Sequence, residues 1–170
     1  MRRRLSGAVA ALAAVVLPLC SAQAATPPLH FQVTDLNGVT TQVPAGLPQA
    51  RALLLLGFRH DDRASLDAWR RGLGLRAEDR DWFETPVIGV SAPMIRGMIV
   101  HGMQGDVKDP AERAHLAPAF TNPAAVAAQL GVDPAAPAAV VVDREGRVLA
   151  RASGPFDPRK ADTLVRALRP

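Results

Sequence analysis

The run APAAVVVDREGRV, residues 136–148, decides how this chain folds. Residues 138–142 are five consecutive apolar residues. They are too few for a helix and carry no polar face, which is the pattern of a strand covered on both sides. Asp143, Arg144, Glu145 and Gly146 follow, a turn sequence that ends on the residue for which a positive φ is cheap. Residues 147–151 then resume as a second strand, so the stretch reads as an antiparallel hairpin inside a sheet.

Working outward, residues 52–58 (ALLLLGF) carry the same signature of a doubly covered strand. In residues 61–73, Leu66, Trp69 and Leu73 recur at three and four, a single apolar stripe of a helix, with Asp61 or Asp62 as its cap and Gly72 and Gly74 at its end. Residues 76–84 read as a charged connection with Trp82 and Phe83 folded back on the core, and residues 86–90 as the next buried strand. Ser91 and Pro93 open a helix to about Gly102. Residues 116–120 read as a further short strand. Asn122 and Pro123 open a helix over residues 124–130 that stops at Gly131. Asp157 and Pro158 open the last helix, which buries Leu164, Val165 and Leu168. Ahead of all this, residues 30–34 and 39–43 alternate apolar and polar around Asp35-Leu36-Asn37-Gly38, a small hairpin. There is no internal repeat and no second domain boundary.

The first 24 residues read as an export signal. Arg2, Arg3 and Arg4 form a positive start, residues 8–19 an apolar run, and Ala22-Gln23-Ala24 a small-x-small cleavage site. The run is shorter than the roughly 20 residues a spanning helix needs, and Leu19 stands where a lipoprotein site would have a small residue before Cys20. Cleavage after Ala24 leaves one domain, residues 25–170, in a bacterial periplasm with no stable membrane insertion. Cys20 is the only cysteine of the chain, so the exported protein has no thiol. Three of the 20 basic residues leave with the signal, which sets 17 against 16 acidic residues. A near-neutral surface without Tyr and without a basic run interleaved with aromatics excludes a nucleic-acid partner.

The order of elements, with Leu130-Gly131-Val132, Ala136-Pro137-Ala138, VVVDREGRV and Gly154, resembles the thioredoxin-like superfamily over residues 31–168. The resemblance implies an α/β fold, a thioredoxin-like mixed central sheet flanked by helices with an extra N-terminal β-hairpin. It also implies a cis bond at Ala136–Pro137, close to the start of the first helix. That family places a reactive cysteine at the junction of its first core strand and helix, and here the junction reads Phe58-Arg59-His60-Asp61-Asp62-Arg63. Its thiol redox and peroxidase chemistry therefore cannot be carried over. The repeated glycines of residues 94–103, followed by residues 109–113 and the Asp143 hairpin, resemble more narrowly the mitochondrial ATP synthase assembly factors of this fold and their bacterial relatives, which are thought to act by binding.

Arg59, His60 and Asp61 are the leading site candidates, with Pro137 opposite them. A strand end meeting a helix start offers backbone N–H groups and a dipole that favour an anion. The expected site is a groove between this segment and the loop before Ala138, with an unpaired backbone edge for an extended peptide of a periplasmic or membrane-associated protein. The competing reading is that Asp61 and Asp62 only cap the helix. Met94, Met98, His101 and Met103 offer an alternative, copper binding or delivery through thioether and imidazole. Against it, Met94, Ile95 and Met98 fall at helical spacing and suit packing on the sheet, with Gly97 and Gly102 allowing close approach. His30 and His115 have no adjacent partner beyond the helical spacing of Glu112 and His115. No Ser-His-Asp set, phosphate loop or zinc motif is present, so no cofactor or metal is expected and no motif supports catalysis. A non-thiol enzyme acting on an anion through Arg59 and His60 is a third reading.

Overall fold

The computed structural model describes residues 29–90 and 92–169. The export signal and the cap expected at Ser91 lie outside the described residues. Among those residues no helix is long and apolar enough to cross a membrane.

The apolar run near residue 52 forms β3 (Arg51–Gly57), and Leu53, Leu54, Leu55 and Leu56 are each wholly excluded from solvent. Because strand side chains alternate, one pair points to each face and both faces need cover. Leu53 and Leu55 meet Leu66 and Trp69 of α1 (Arg63–Gly72) and Leu164 of α5 (Pro158–Leu168). Leu54 and Leu56 meet the hairpin of β1 (Phe31–Thr34) and β2 (Thr40–Val43) through Phe31, Val33 and Val43. They also meet Val126 and Leu130 of α4 (Pro123–Leu130). The sheet order is β4-β3-β5-β6, with β4 (Trp82–Pro86) parallel to β3, and β5 (Ala138–Asp143) and β6 (Val148–Ser153) each antiparallel to its neighbour. The expected architecture is therefore present, including the separate N-terminal hairpin.

Local chemistry closes the elements as the sequence implies. Asn122 accepts from the backbone N–H groups of Ala124 and Ala125, and Asp157 from that of Arg159. Gly131 ends α4 at φ 64°. The β5–β6 turn is held by Asp143, whose carboxylate accepts from the backbone N–H of Glu145 and of Arg147 and from the Arg147 guanidinium at 2.6 Å. In α5, Ala161 and Leu164 are buried while Val165 and Leu168 are only partly covered.

Four expectations are corrected. The second core strand is 82–86 and not 86–90: Trp82 pairs with Leu53 and sits in the core, while Glu84, the charge that disguised the strand, points toward a cavity. Residues 116–120 make only isolated parallel bridges, Leu116 to Glu84 of β4 and Ala119 to Val87 just after it. Pro118 in their middle has no N–H to continue a ladder. The Ala136–Pro137 bond is trans, and among the described residues the cis bond is Val43–Pro44. The reversal before β5 is made earlier, by a turn in which Ala136 donates to the Asp133 carbonyl. Finally, α2 runs over Pro93–Asp106, longer than expected, and buries none of its residues, and a short α3 (Pro110–His115), capped by Asp109, follows it.

The Asp143 turn gives a pH-dependent test. Burial raises the Asp143 carboxyl pKa, but the hydrogen bonds from Arg147 outweigh it and hold the group below the usual carboxylate range. Its stabilisation is thus fully present above the ordinary carboxylate pKa and is lost as pH falls through the lower, folded value. Asp143→Asn should lower stability to denaturant by about 1–3 kcal/mol at pH 7, with the difference from wild type closing in strong acid.

Candidate functional site

β3 ends at Gly57, and the chain passes through Phe58 and Arg59 into a single 3₁₀ turn, His60–Asp62, before α1 begins. Asp62 shapes this corner. Its buried carboxylate accepts from the backbone N–H of Phe58 at 2.8 Å and of Arg59 at 2.9 Å, and the Arg59 guanidinium lies 3.9 Å away. Asp62 makes no capping bond to α1. The expected helix cap therefore faces the other way and folds the strand-to-helix junction. Asp61 is exposed, as are Arg59 and His60.

Leu56 pairs with Ala138, so Pro137 stands one residue beyond the register, opposite Gly57 and at the same end of the sheet as Arg59. Backbone carbonyls at this end of the sheet are already engaged. The Gly57 carbonyl accepts from Val87 and the Pro137 carbonyl from Gly154. Concave space lies instead on the opposite side of the junction, as a cavity of about 780 Å³ between α1, β4, α2 and the segment leading from α3. Arg59 and His60 line it, whereas Asp61 and Pro137 do not. Its size falls in the range of small-molecule sites.

The cavity exists because α2 is tethered by polar bonds and not packed on the sheet. Arg96 donates to the Val90 carbonyl and lies over Phe120, Gln104 donates to the Leu36 carbonyl, and Arg113 reaches back to Gln104 and Val107. Arg63 of α1 meets Asp106 at 3.0 Å across the mouth. Met94 and Met98, expected against the sheet, are 80% and 70% exposed, and Ile95 is 48% exposed. Gly97 and Gly102 face open space and not a close neighbour. His101 shares the exposed side with Met94 and Met98 at spacings of four and three, while Met103 turns to the cavity and is partly buried.

The inner wall holds two groups that were not among the leading site candidates. His115 is buried and stacked on Trp82, with ring centroids 4.0 Å apart, and its two nitrogens each lie 2.9 Å from a backbone carbonyl, of Trp82 and of Ala77. Glu84 also faces the cavity, and among the described residues its carboxylate has no hydrogen-bond or ion-pair partner. Burial pushes the Glu84 carboxyl above the usual range; Arg70 opposes the shift, Asp67 adds to it and Arg63 opposes it. The one available signal for Glu84 was its place two residues after Trp82, which a reading of residues 76–84 as a connection discarded.

A raised carboxyl pKa means that ionised Glu84 disfavours the folded state, fully so above its folded pKa and not at all below its unfolded one. Glu84→Gln should therefore be more stable than wild type at pH 7, and the gain should fade as pH falls toward the ordinary carboxylate range. The other ionisable groups lining the cavity, Arg59, His60, Arg63, Asp67, Arg70, Asp106, Glu112 and His115, are common to both proteins. Parallel denaturation curves at several pH values isolate the Glu84 contribution.

No protein-family model matches the sequence, and no curated protein matches it. Solved structures do. The exposed lipoprotein thioredoxin Etrx1 of Streptococcus pneumoniae superposes with a TM-score of 0.55 at 13% identity, covering 83% of this chain and 98% of that one. The N-terminal domain of PilB from Neisseria gonorrhoeae gives 0.53 at 12% identity, covering 81% and 89%. A putative thiol:disulfide interchange protein DsbE from Chlorobium tepidum gives 0.52 at 16% identity, covering 83% and 94%. At such identities the likeness establishes the fold alone, and that fold is thioredoxin-like.

Proposed function

We propose that this chain is an exported, periplasmic thioredoxin-like module that binds or helps to assemble another periplasmic or membrane-associated protein, without thiol redox chemistry. The observation that carries the reading is the junction after β3. Where the resemblance leads one to expect a reactive cysteine, Phe58, Arg59 and His60 instead line a cavity of about 780 Å³. Export is supported by the signal pattern of the first 24 residues and by the likeness to a protein described as an exposed lipoprotein. Thiol chemistry is unsupported because the only cysteine, Cys20, belongs to that signal.

The reading is tested by in vivo crosslinking of the periplasmic protein, followed by identification of what it captures. Arg59→Ala combined with His60→Ala should weaken capture while leaving the unfolding midpoint nearly unchanged, since both side chains are exposed. Undiminished capture by the folded double variant would remove this end of the sheet as the partner site.

Copper binding is a second reading, favoured by one observation: Met94, Met98 and His101 are exposed on one side of α2 at the spacing of adjacent turns. Thioether and imidazole donors suit Cu(I). Titration with Cu(I) against a competing chelator should then give one-to-one binding that is lost in Met98→Ala and in His101→Ala. Binding that survives both substitutions, or none in the wild type, excludes the set.

A further inference from the structure

The cavity carries an imbalance of charge that selects its occupant. Three arginines, two histidines and four carboxylates line it, and His115 is engaged by two backbone carbonyls. Each arginine is already met: Arg63 by Asp106 at 3.0 Å, Arg70 by Asp67 at 3.6 Å and Glu112 at 3.9 Å, and Arg59 by Asp62 at 3.9 Å. Glu84 is the carboxylate left over, set on β4 between Trp82 and Pro86 and partly withdrawn from water. An anion entering this space would compete with carboxylates for arginines that are engaged, and would face Glu84 as well. A cation would meet the one unpaired charge. Much of the remaining wall is apolar, with Phe58, Leu66, Ile99, Met103 and Leu116, which suits an organic ligand better than a bare metal ion. Among the described residues, no cluster of three or more His, Cys, Asp or Glu side chains could hold one.

We infer that the cavity binds a small organic cation, an ammonium or guanidinium group on an apolar or aromatic body, with the Glu84 carboxylate accepting its hydrogen bonds. This rests on the reading of the junction after β3 as a binding site and adds to its protein partner a small ligand in the cavity beside it. Burial of the Glu84 carboxyl favours the same occupant, because an ionised group in a partly dry site is stabilised by an incoming opposite charge. The apolar wall accommodates the body of such a ligand, and the volume fits a free molecule better than a single lysine or arginine side chain of a partner.

The test uses the protein expressed from its full chain and follows the methyl signals of Ile99 and Met103 by NMR. Three probes of one shape are compared: 2-phenylethylammonium, 2-phenylethanol and 3-phenylpropionate. A fourth probe is a short peptide with one lysine. The inference predicts saturable shifts with the ammonium, weaker ones with the alcohol and none with the carboxylate. Glu84→Gln should weaken the ammonium by on the order of tenfold, as expected for the loss of one charge-assisted hydrogen bond, and leave the alcohol unchanged. Gly102→Phe, which projects a ring into open space on the cavity wall, should abolish binding of every probe. Equal ammonium affinity in Glu84→Gln, or preference for the carboxylate, overturns the cation assignment while leaving the cavity as the site. Failure of Gly102→Phe to affect any bound probe overturns the cavity itself. Binding of the lysine peptide tighter than the free ammonium overturns the assignment to a free molecule.

Discussion

β3 has no surface of its own. Four consecutive leucines, each wholly out of water, oblige the chain to supply two separate covers, and burial of each leucine contributes roughly 1.5–3 kcal/mol. α1 and α5 are committed to one face, and the N-terminal hairpin with α4 to the other. Both edges of β3 are paired as well, with β4 and with β5. Its C-terminal end is therefore where this strand meets the cavity. Asp62 turns the chain there by accepting two backbone N–H groups.

The same constraint explains α2. With both faces of the sheet occupied, this helix does not pack on the sheet and buries none of its residues. It is held at its ends by Arg96, Gln104 and Arg113, through hydrogen bonds to backbone carbonyls. Polar tethers fix a helix at points and do not draw it down along its length, so space remains beneath it. The exposed methionines outside and the cavity inside are two results of one arrangement.

What the sequence disclosed follows from how local each signal is. Continuous apolar runs announced β3 and β5, and Asn122, Gly131, Asp143 and Asp157 announced their turns and caps, because each acts within a few residues of itself. β4 was misplaced because its charged residue, Glu84, faces a cavity that exists only once α2 is tethered from elsewhere. For the same reason the spacing of Met94 and Met98 suggested burial: periodicity records which residues share a side, not whether anything covers that side. Arg59 and His60 were legible as belonging to a strand end and helix start. The side on which the concavity opens was not, since it depends on contacts from residues between Trp82 and Pro123, far later in the chain. Pro137 lies at the right end of the sheet but outside the cavity.

The scaffold shares its fold with thiol proteins, whereas its own exported form is proposed to carry no thiol. The most direct measurement is the intact mass of the protein recovered from the periplasm after denaturation, reduction and treatment with a maleimide. The account predicts a single species beginning at Ala25 with no adduct. A species that retains Cys20 and takes up the maleimide would contradict it.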